Sequence, residues 1–230
     1  LFASAQSPAM LYYLNQASSN KEHPNENYAR EIMELHTLGV SGGYAQIDVT
    51  NLARIITGWT VVGREAVLGF PGSFAFNAGL HEPGTPPLLG KPYGQPGKEK
   101  GLAAFSDLAR HPATADFIAI KLVRHFVADD PPHALVRDLS AVFRRTEGDL
   151  AAVSRALIES NAAWAAEPTK IRSPQEFLLA AFRALGRKPG LVGEGMEVMC
   201  RGQPLQFGGG VHAVMVGDVE ELAHGPVKYA

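Results

Sequence analysis

The chain has 230 residues, a formal net charge of −2 and one cysteine. Its near-neutral balance argues against non-specific binding to nucleic acid, which needs a basic face, and one cysteine excludes a framework of internal disulfides. Because no run of eighteen apolar residues occurs, we expect no segment that spans a membrane. The chain opens "LFASAQSPAM", without Met and without a charged leader, so we expect no signal peptide in it and interpret it as a fragment or a processed form.

A helix over about residues 26–38 is predicted near the start of the chain. Gly39 follows at the place where a left-handed residue commonly ends a helix, and Val40 is placed to pack back on the last turn. The apolar residues of this stretch recur at helical spacing, which predicts one buried face. That face consists of Tyr28, Ile32, Leu35 and Leu38.

The next helix, about residues 46–57, is expected to end at Gly58, after which Trp59 begins an extended stretch. Residues 63–97 are rich in Gly and Pro and predict a long ordered loop, with room for one short hairpin. A loop of this length in a compact domain is usually functional or mobile. We expect Trp59 and Trp164 to be core or domain-seam residues.

Helix signals return after the loop. Ser173, Pro174 and Glu176 form a capping-box signature. We therefore predict a mainly α fold, an irregular multi-helix bundle with one long Gly/Pro-rich loop and an irregular C-terminal tail. Residues 1–190 are expected to form the helical domain, and residues 191–230 the tail, which we treat as part of the same domain. The later helices are predicted over residues 98–109, 112–127, 134–145, 150–159 and 174–185.

Two motifs carry a family resemblance, "NENYAREIMELHTLGVSGGY" and "HPATADFIAIKLVRHFVADDPP". With the following "TEGDL", they resemble a large bacterial family catalogued only as a domain of unknown function, number eighteen hundred, over about residues 7–187. The chain is similar to the C-terminal part of such a protein. The resemblance implies a fold class far better than an activity. It also implies export to the periplasm for the full-length protein, and a partner similar to sulfatases and alkaline phosphatases.

The chain departs from the family at one place that bears on a site. The family tends to show His-Asp, a Gly, and then a Lys before Leu-Gly. This chain keeps His81 with Glu82, and Gly84, but has Pro where the lysine would fall. Any charge pairing made by that lysine is therefore in doubt here.

The first motif also contains a candidate site. Glu31 and Glu34 are about 60° apart on a helix and can share a face, whereas His36 lies about 140° and about 160° from them. A straight helix therefore cannot aim all three at one ion. His81 and Glu82 would complete the site from the long loop, where function concentrates. The candidate site residues are Asn27, Glu31, Glu34, His36, His81 and Glu82, with Glu31, Glu34 and His81 as ligands of a divalent metal.

A structural role for the same residues is the competing interpretation. Glu26, Arg30 and Glu34 are spaced by four, so the arginine could pair in both directions. His36 would then be a histidine at a helix end, and His111 would cap the helix that begins at the next residue.

Two functions remain open at this stage, and so does whether the protein is an enzyme. The preferred one is a non-catalytic helical module that binds or supports a protein partner, which predicts an exposed apolar patch. The alternative is a metal-assisted hydrolase-like enzyme using Glu31, Glu34 and His81, which predicts that these groups converge in a cleft.

Overall fold

The computed structural model describes residues 1–65, 67–164, 173–184, 199–200, 203–207 and 211–213. The chain divides into two compact units, Leu1–Ile171 and Arg172–Ala230. The fold is mainly α, as predicted, and none of the described helices is both long and apolar enough to cross a bilayer. The helices of the described residues are α1 (Phe2–Ala5), α2 (Pro8–Tyr13), α3 (Glu26–Glu31), α4 (Gln46–Ile55), α5 (Lys98–Arg110), α6 (Pro112–Phe126), α7 (His133–Arg145), α8 (Leu150–Glu159) and α9 (Pro174–Ala184).

Short antiparallel strands organise the long loop. Strand β1 (Trp59–Val61) pairs with β2 (Phe74–Phe76), and β3 (Pro87–Leu88) forms a small hairpin with β4 (Lys91–Pro92). The loop predicted over residues 63–97 is therefore held at its base by a strand pair as well as containing a hairpin. In the second unit, β5 (Met199–Cys200), β6 (Gln203–Phe207) and β7 (Val211–Ala213) pair in that order. The rest of the predicted tail lies outside the described residues.

Trp59 is fully buried at the centre of the first unit, which confirms its predicted core role. Its indole meets Phe74 and Phe105 edge-to-face, at centroid distances of 5.3 and 5.1 Å. Helix α5 can approach this closely because Gly101 faces the indole, where a Cβ would lie only 2.6 Å from a ring carbon. The aromatic contacts thus fix α5 against the start of the loop.

Helices α6, α7 and α8 enclose a second apolar core. Helix α6 is joined to α7 by polar contacts as well, because Ser140 donates to Asp116 and Arg144 lies 3.1 Å from the same carboxylate. The buried members of this core are Ala115, Ala119, Val123, Leu135, Leu139, Phe143, Val153 and Leu157.

The capping box at Ser173 and the cap at His111 are both present as predicted. Ser173 N–H donates to the Glu176 carboxylate at 2.9 Å, and Glu176 N–H donates to Ser173 Oγ at 3.3 Å, which completes the capping box of α9. His111 Nδ1 accepts from Ala113 N–H at 3.2 Å, so His111 does cap α6.

The helix predicted over residues 26–38 changes its winding part-way. Helix α3 ends at Glu31, and Ile32–His36 is a π-turn. Thr37 Oγ1 donates to Ile32 O at 2.8 Å, and Gly39 N–H donates to Met33 O at 3.0 Å. The first of these bonds spans five residues and the second spans six, so the turn holds one more residue than an α-helical turn, and the residues after it are rotated.

This rotation overturns two of the predictions for the helix. Tyr28, Ile32 and Leu38 are buried as expected, but Leu35 is half exposed, and Met33 is buried instead. Val40 is 75% exposed, which shows that it does not pack back on the last turn. The α-helical period that placed Leu35 inside does not hold across a π-turn.

Gly39 ends the π-turn in the left-handed conformation that was predicted, with φ +79°. A Cβ on Gly39 would lie 2.6 Å from the Phe117 ring of α6, whereas Gly43, at φ +81°, has open space around it. We expect Gly39→Ala to cost about 3 kcal/mol of unfolding free energy, from left-handed strain plus overlap with Phe117, and Gly43→Ala about 1 kcal/mol. Chemical denaturation of both variants measures the difference; equal losses would show that α6 yields at this contact.

Candidate functional site

The charged face of α3 is tied to α4 by a chain of hydrogen bonds. Arg30 Nη1 lies 3.7 Å from Glu34 Oε1, and Arg30 Nη2 donates to Gln46 Oε1 at 2.6 Å. Gln46 Nε2 donates to Glu26 Oε2 at 2.7 Å, and Thr50 Oγ1 donates to Glu26 Oε1 at 2.7 Å. The predicted Arg30–Glu34 pair is therefore present, while Arg30 reaches Glu26 through Gln46 instead of pairing with it directly.

The remaining candidate residues of this helix surround the same network. Burial and the hydrogen bond that the Tyr44 hydroxyl donates to the Glu34 carboxylate raise the pKa of Tyr44 to about 12. Burial and Lys121 lower the pKa of His36, while Glu31 acts in the opposite direction. Because the π-turn stacks residues that are five apart, it brings His36 towards Glu31, which a straight α-helix would not do.

Asn27 is exposed on the first turn of α3. The residues predicted in the first motif thus occupy a surface that joins two helices, on which Glu34 pairs with Arg30 and Glu26 bonds to Gln46 and Thr50. Such a network stabilises the α3–α4 contact.

His81 lies in a different polar cluster, at the end of α4. Its Nδ1 is 2.7 Å from Thr57 O, and since a carbonyl only accepts, Nδ1 carries the proton. The other ring nitrogen, Nε2, is shielded from solvent and has no hydrogen-bond partner among the described residues. Phe76 packs edge-to-face on the ring at 5.2 Å. The imidazole is therefore fixed in the tautomer with its proton on Nδ1. Its Nε2 is a buried acceptor to which no described residue donates.

Thr57 joins this ring to the next residue of the loop. Its Oγ1 accepts from Glu82 N–H at 2.8 Å and donates to Arg54 O at 2.7 Å. The Glu82 carboxylate lies 3.7 Å from Arg54 Nε. His81 and Glu82, which the sequence paired as candidates, are thus both anchored on the last turn of α4.

Lys100 belongs to the same cluster, although the sequence did not single it out. Only 4% of its surface is exposed. Its ammonium donates to Gly84 O at 2.7 Å and lies 3.4 Å from Glu82 O. Burial lowers the pKa of Lys100, and Glu82 partly opposes this effect. The sequence signal that could have found Lys100 is its neighbour Gly101. A glycine inside a helix indicates close packing, and this places the adjacent residue near the core.

The structure therefore separates the two halves of the candidate site. Glu31, Glu34 and His36 belong to the α3 surface, whereas His81 and Glu82 belong to the cluster at Thr57. The described part of the chain holds no group of three or more His, Cys, Asp or Glu side chains that could bind a metal ion. The set of Glu31, Glu34 and His81 as metal ligands gains no support from this geometry and stays a prediction.

A third feature is an apolar groove between α6, α8 and the 3₁₀ turn Asn161–Trp164, which encloses about 280 Å³. Trp164 was expected in the core or a domain seam, yet 72% of its surface is exposed. Its Nε1 donates to Ile158 O at 2.7 Å, so the indole is held in place. The groove is lined by Leu122, Phe126, Val127, Ser154, Leu157, Ile158, Ala163 and Trp164.

The fold is mainly α, and the described residues of its first unit include two polar clusters and an apolar groove. A family model described as "Protein of unknown function (DUF1800)" matches residues 1–214. The chain therefore belongs to this family, which confirms the resemblance found in the sequence. No curated protein and no solved structure matches the chain.

The hydrogen-bonded residues Glu26, Arg30, Glu34, Gln46 and Thr50, here called the α3 network, allow a test on one helix. The test distinguishes a carboxylate that only stabilises the fold from one that binds a metal. We expect Glu26→Ala to lower the unfolding free energy by about 1–2 kcal/mol, because it removes two hydrogen bonds and a negative charge from the first turn of α3. Glu31→Gln should stay within about 0.5 kcal/mol of the parent. Thermal melts with and without divalent metal check both variants. A metal-dependent rise in Tm of the parent that Glu31→Gln abolishes would support the metal site.

The Thr57 hydroxyl allows a second test. Thr57→Val keeps the shape of the side chain but leaves Glu82 N–H without its acceptor, so we expect a loss of about 1–3 kcal/mol and faster exchange of that amide. Thr57→Ser keeps the hydroxyl and should keep the amide protected. Hydrogen exchange followed by NMR distinguishes the two variants, and equal protection of Glu82 in both would show that the hydroxyl does not hold the loop.

Proposed function

We propose that the chain is a non-catalytic helical module that binds and supports a partner protein through the apolar groove. Three large apolar residues converge there with most of their surface in solvent, Phe126 at 64%, Ile158 at 63% and Trp164 at 72% exposed. Grouped apolar exposure of this kind, unlike scattered single residues, is typical of protein contact surfaces. This convergence is the observation that carries the proposal.

The groove is also organised in advance. The bond from Trp164 Nε1 to Ile158 O fixes the indole, so little side-chain freedom remains to be lost when a partner covers it. Trp is the residue type most enriched among those that dominate binding energy, especially at the centre of a contact surface. We therefore place Trp164 at the centre of the proposed contact.

The partner that the family resemblance suggests is an exported protein similar to sulfatases and alkaline phosphatases. Such a partner would present an apolar segment, because the described residues that line the groove are apolar apart from Ser154. The alternative of a metal-assisted hydrolase is not carried further, since no cluster of the described residues favours it.

Substitution of the groove tests this proposal. We expect Trp164→Ala to weaken binding of a sulfatase-like partner protein, the kind that the family resemblance suggests, by roughly tenfold or more, because a central anchor is truncated. Val67→Ala, at an 81% exposed apolar position of the long loop, is the matched control and should leave binding unchanged. Isothermal titration calorimetry measures both, and circular dichroism verifies that each variant is folded.

Two results would contradict the proposal. One is equal affinity for the parent and Trp164→Ala, which would place the contact elsewhere. The other is that mixing produces no heat at protein concentrations well above the dissociation constants of ordinary protein complexes. That result would exclude the sulfatase-like protein as the partner.

A further inference from the structure

The charges on α8 change sign along the edge of the apolar groove. Arg155 lies one turn before Glu159, and both residues are exposed. They are about 40° apart around the helix, so they share one side of it, and Ile158 in the groove lies about 60° from Arg155. The helix ends at Glu159, so its terminal carbonyl groups add partial negative charge at that end. Helix α8 therefore presents a positive end and a negative end beside the groove.

Helix α6 repeats this order of charges. Lys121 directly precedes the groove residue Leu122, and Asp130 follows the groove residue Val127, and both charged residues are exposed. Arg124 lies about 160° from Leu122, on the other side of the helix. Because α6 ends within the groove, its terminal carbonyl groups also place partial negative charge on the side of Asp130.

The two helices run in the same direction, so these charges reinforce one another. Helix α7 shares a core with both of them, and it is joined to them by the short connections 127–132 and 146–149. Short connections of this kind make neighbouring helices antiparallel, so α7 runs against both α6 and α8. The groove as a whole therefore has a positive end and a negative end.

The charges at the two ends are not neutralised by ion pairs within the described part of the chain. None of the ion pairs there includes Lys121, Asp130, Arg155 or Glu159. Arg155 and Glu159 are spaced by four with the basic residue first, which is the less favourable order for a pair on one helix. A surface that covers the groove can therefore add charge complementarity to apolar contact.

A second copy of the chain carries a surface of this kind. In a dimer with two-fold symmetry, residue i contacts j and j contacts i, so the surface must be complementary to itself. A two-fold axis through the groove near Leu157 sets the two α8 helices antiparallel. Arg155 of each copy then lies opposite Glu159 of the other, and the positive end of each groove faces the negative end of the second one.

We propose that two copies of the chain associate through their grooves, with Phe126, Ile158 and Trp164 of each copy packed against the groove of the other. An aromatic side chain can bury roughly 150–250 Å², so the exposed parts of these three residues offer on the order of 400 Å² per copy. This area is below the ~800 Å² per partner of a standard interface, so the dimer forms reversibly.

The dimer covers the groove while no other protein occupies it. A partner that binds at Trp164 then has to displace the second copy, so its apparent affinity falls as the concentration of the chain rises. This consequence rests on the proposed function, whereas the dimer itself rests only on the shape and charges of the groove.

Sedimentation equilibrium of the whole chain, with no other protein present, tests the dimer. We expect the weight-average mass to rise from that of one chain towards that of two as the concentration increases from about 1 μM to about 300 μM. A mass that stays at one chain would show that the groove has another occupant and would overturn the proposal. A mass that rises beyond two chains would also overturn it, because a head-to-tail contact does not close.

Charge reversal on α8 tests the orientation of the two copies. Arg155→Glu places like charges opposite each other at two symmetric positions, so we expect the dissociation constant of the dimer to rise roughly tenfold or more. Arg155→Glu combined with Glu159→Arg exchanges the charges and should restore the affinity of the parent. Arg137→Glu, at an exposed position of α7, makes the same change in net charge and is the matched control. Parent-like association of Arg155→Glu, or no recovery in the double variant, would overturn the proposed arrangement.

Trp164→Ala separates this inference from the proposed function. The variant should remain a single chain at about 300 μM, and circular dichroism verifies that it is folded. A parent chain that dimerises but gives no heat with the sulfatase-like protein would contradict the proposed function and leave the dimer in place. A chain that binds that protein through Trp164 but stays single would leave the proposed function in place and overturn the dimer.

Discussion

The first unit depends on the turn at Gly58, where α4 ends and the long loop begins. Gly58 has φ +82°, and a Cβ there would lie 2.5 Å from Asn77 O, so no other residue fits without moving the loop. The turn sends the two neighbours of Gly58 in different directions. Trp59 enters the core between Phe74 and Phe105, and Thr57 holds His81 and Glu82. One backbone conformation thus couples the apolar core to the polar cluster.

Helix periodicity and caps could be predicted from the sequence because they depend on local spacing. The bounds of α8, the caps at His111 and Ser173 and the left-handed Gly39 all follow from residues within one or two turns. The π-turn could not be predicted in this way. It depends on Thr37 bonding back to Ile32 O and on Phe117 packing against Gly39 from a distant helix. The exposure of Leu35 follows from this winding, because the residues after a π-turn are rotated relative to those of an α-helix.

The candidate site was predictable only in parts for the same reason. The pairing of Arg30 with Glu34 follows from a spacing of four, and the association of His81 with Glu82 follows from their adjacency. Lys100 is separated from that loop along the chain and reaches it only because Gly101 lets α5 approach Trp59. Such a contact between distant elements, which depends on a glycine that allows close packing, produces no periodic pattern in the sequence.

The α3 network, the polar cluster at Thr57 and the groove at Trp164 differ in how many of their groups already have a partner within the protein. In the α3 network, Arg30, Gln46 and Glu26 satisfy one another, so a ligand would have to displace existing bonds and pay their desolvation. The groove at Trp164 has no such internal competitor, because apolar surface is satisfied only by being covered. A partner that binds at the groove would therefore break fewer existing hydrogen bonds than one that binds at the α3 network. His81 lies between these cases, since its Nδ1 is bonded to Thr57 O and its Nε2 has no hydrogen-bond partner among the described residues.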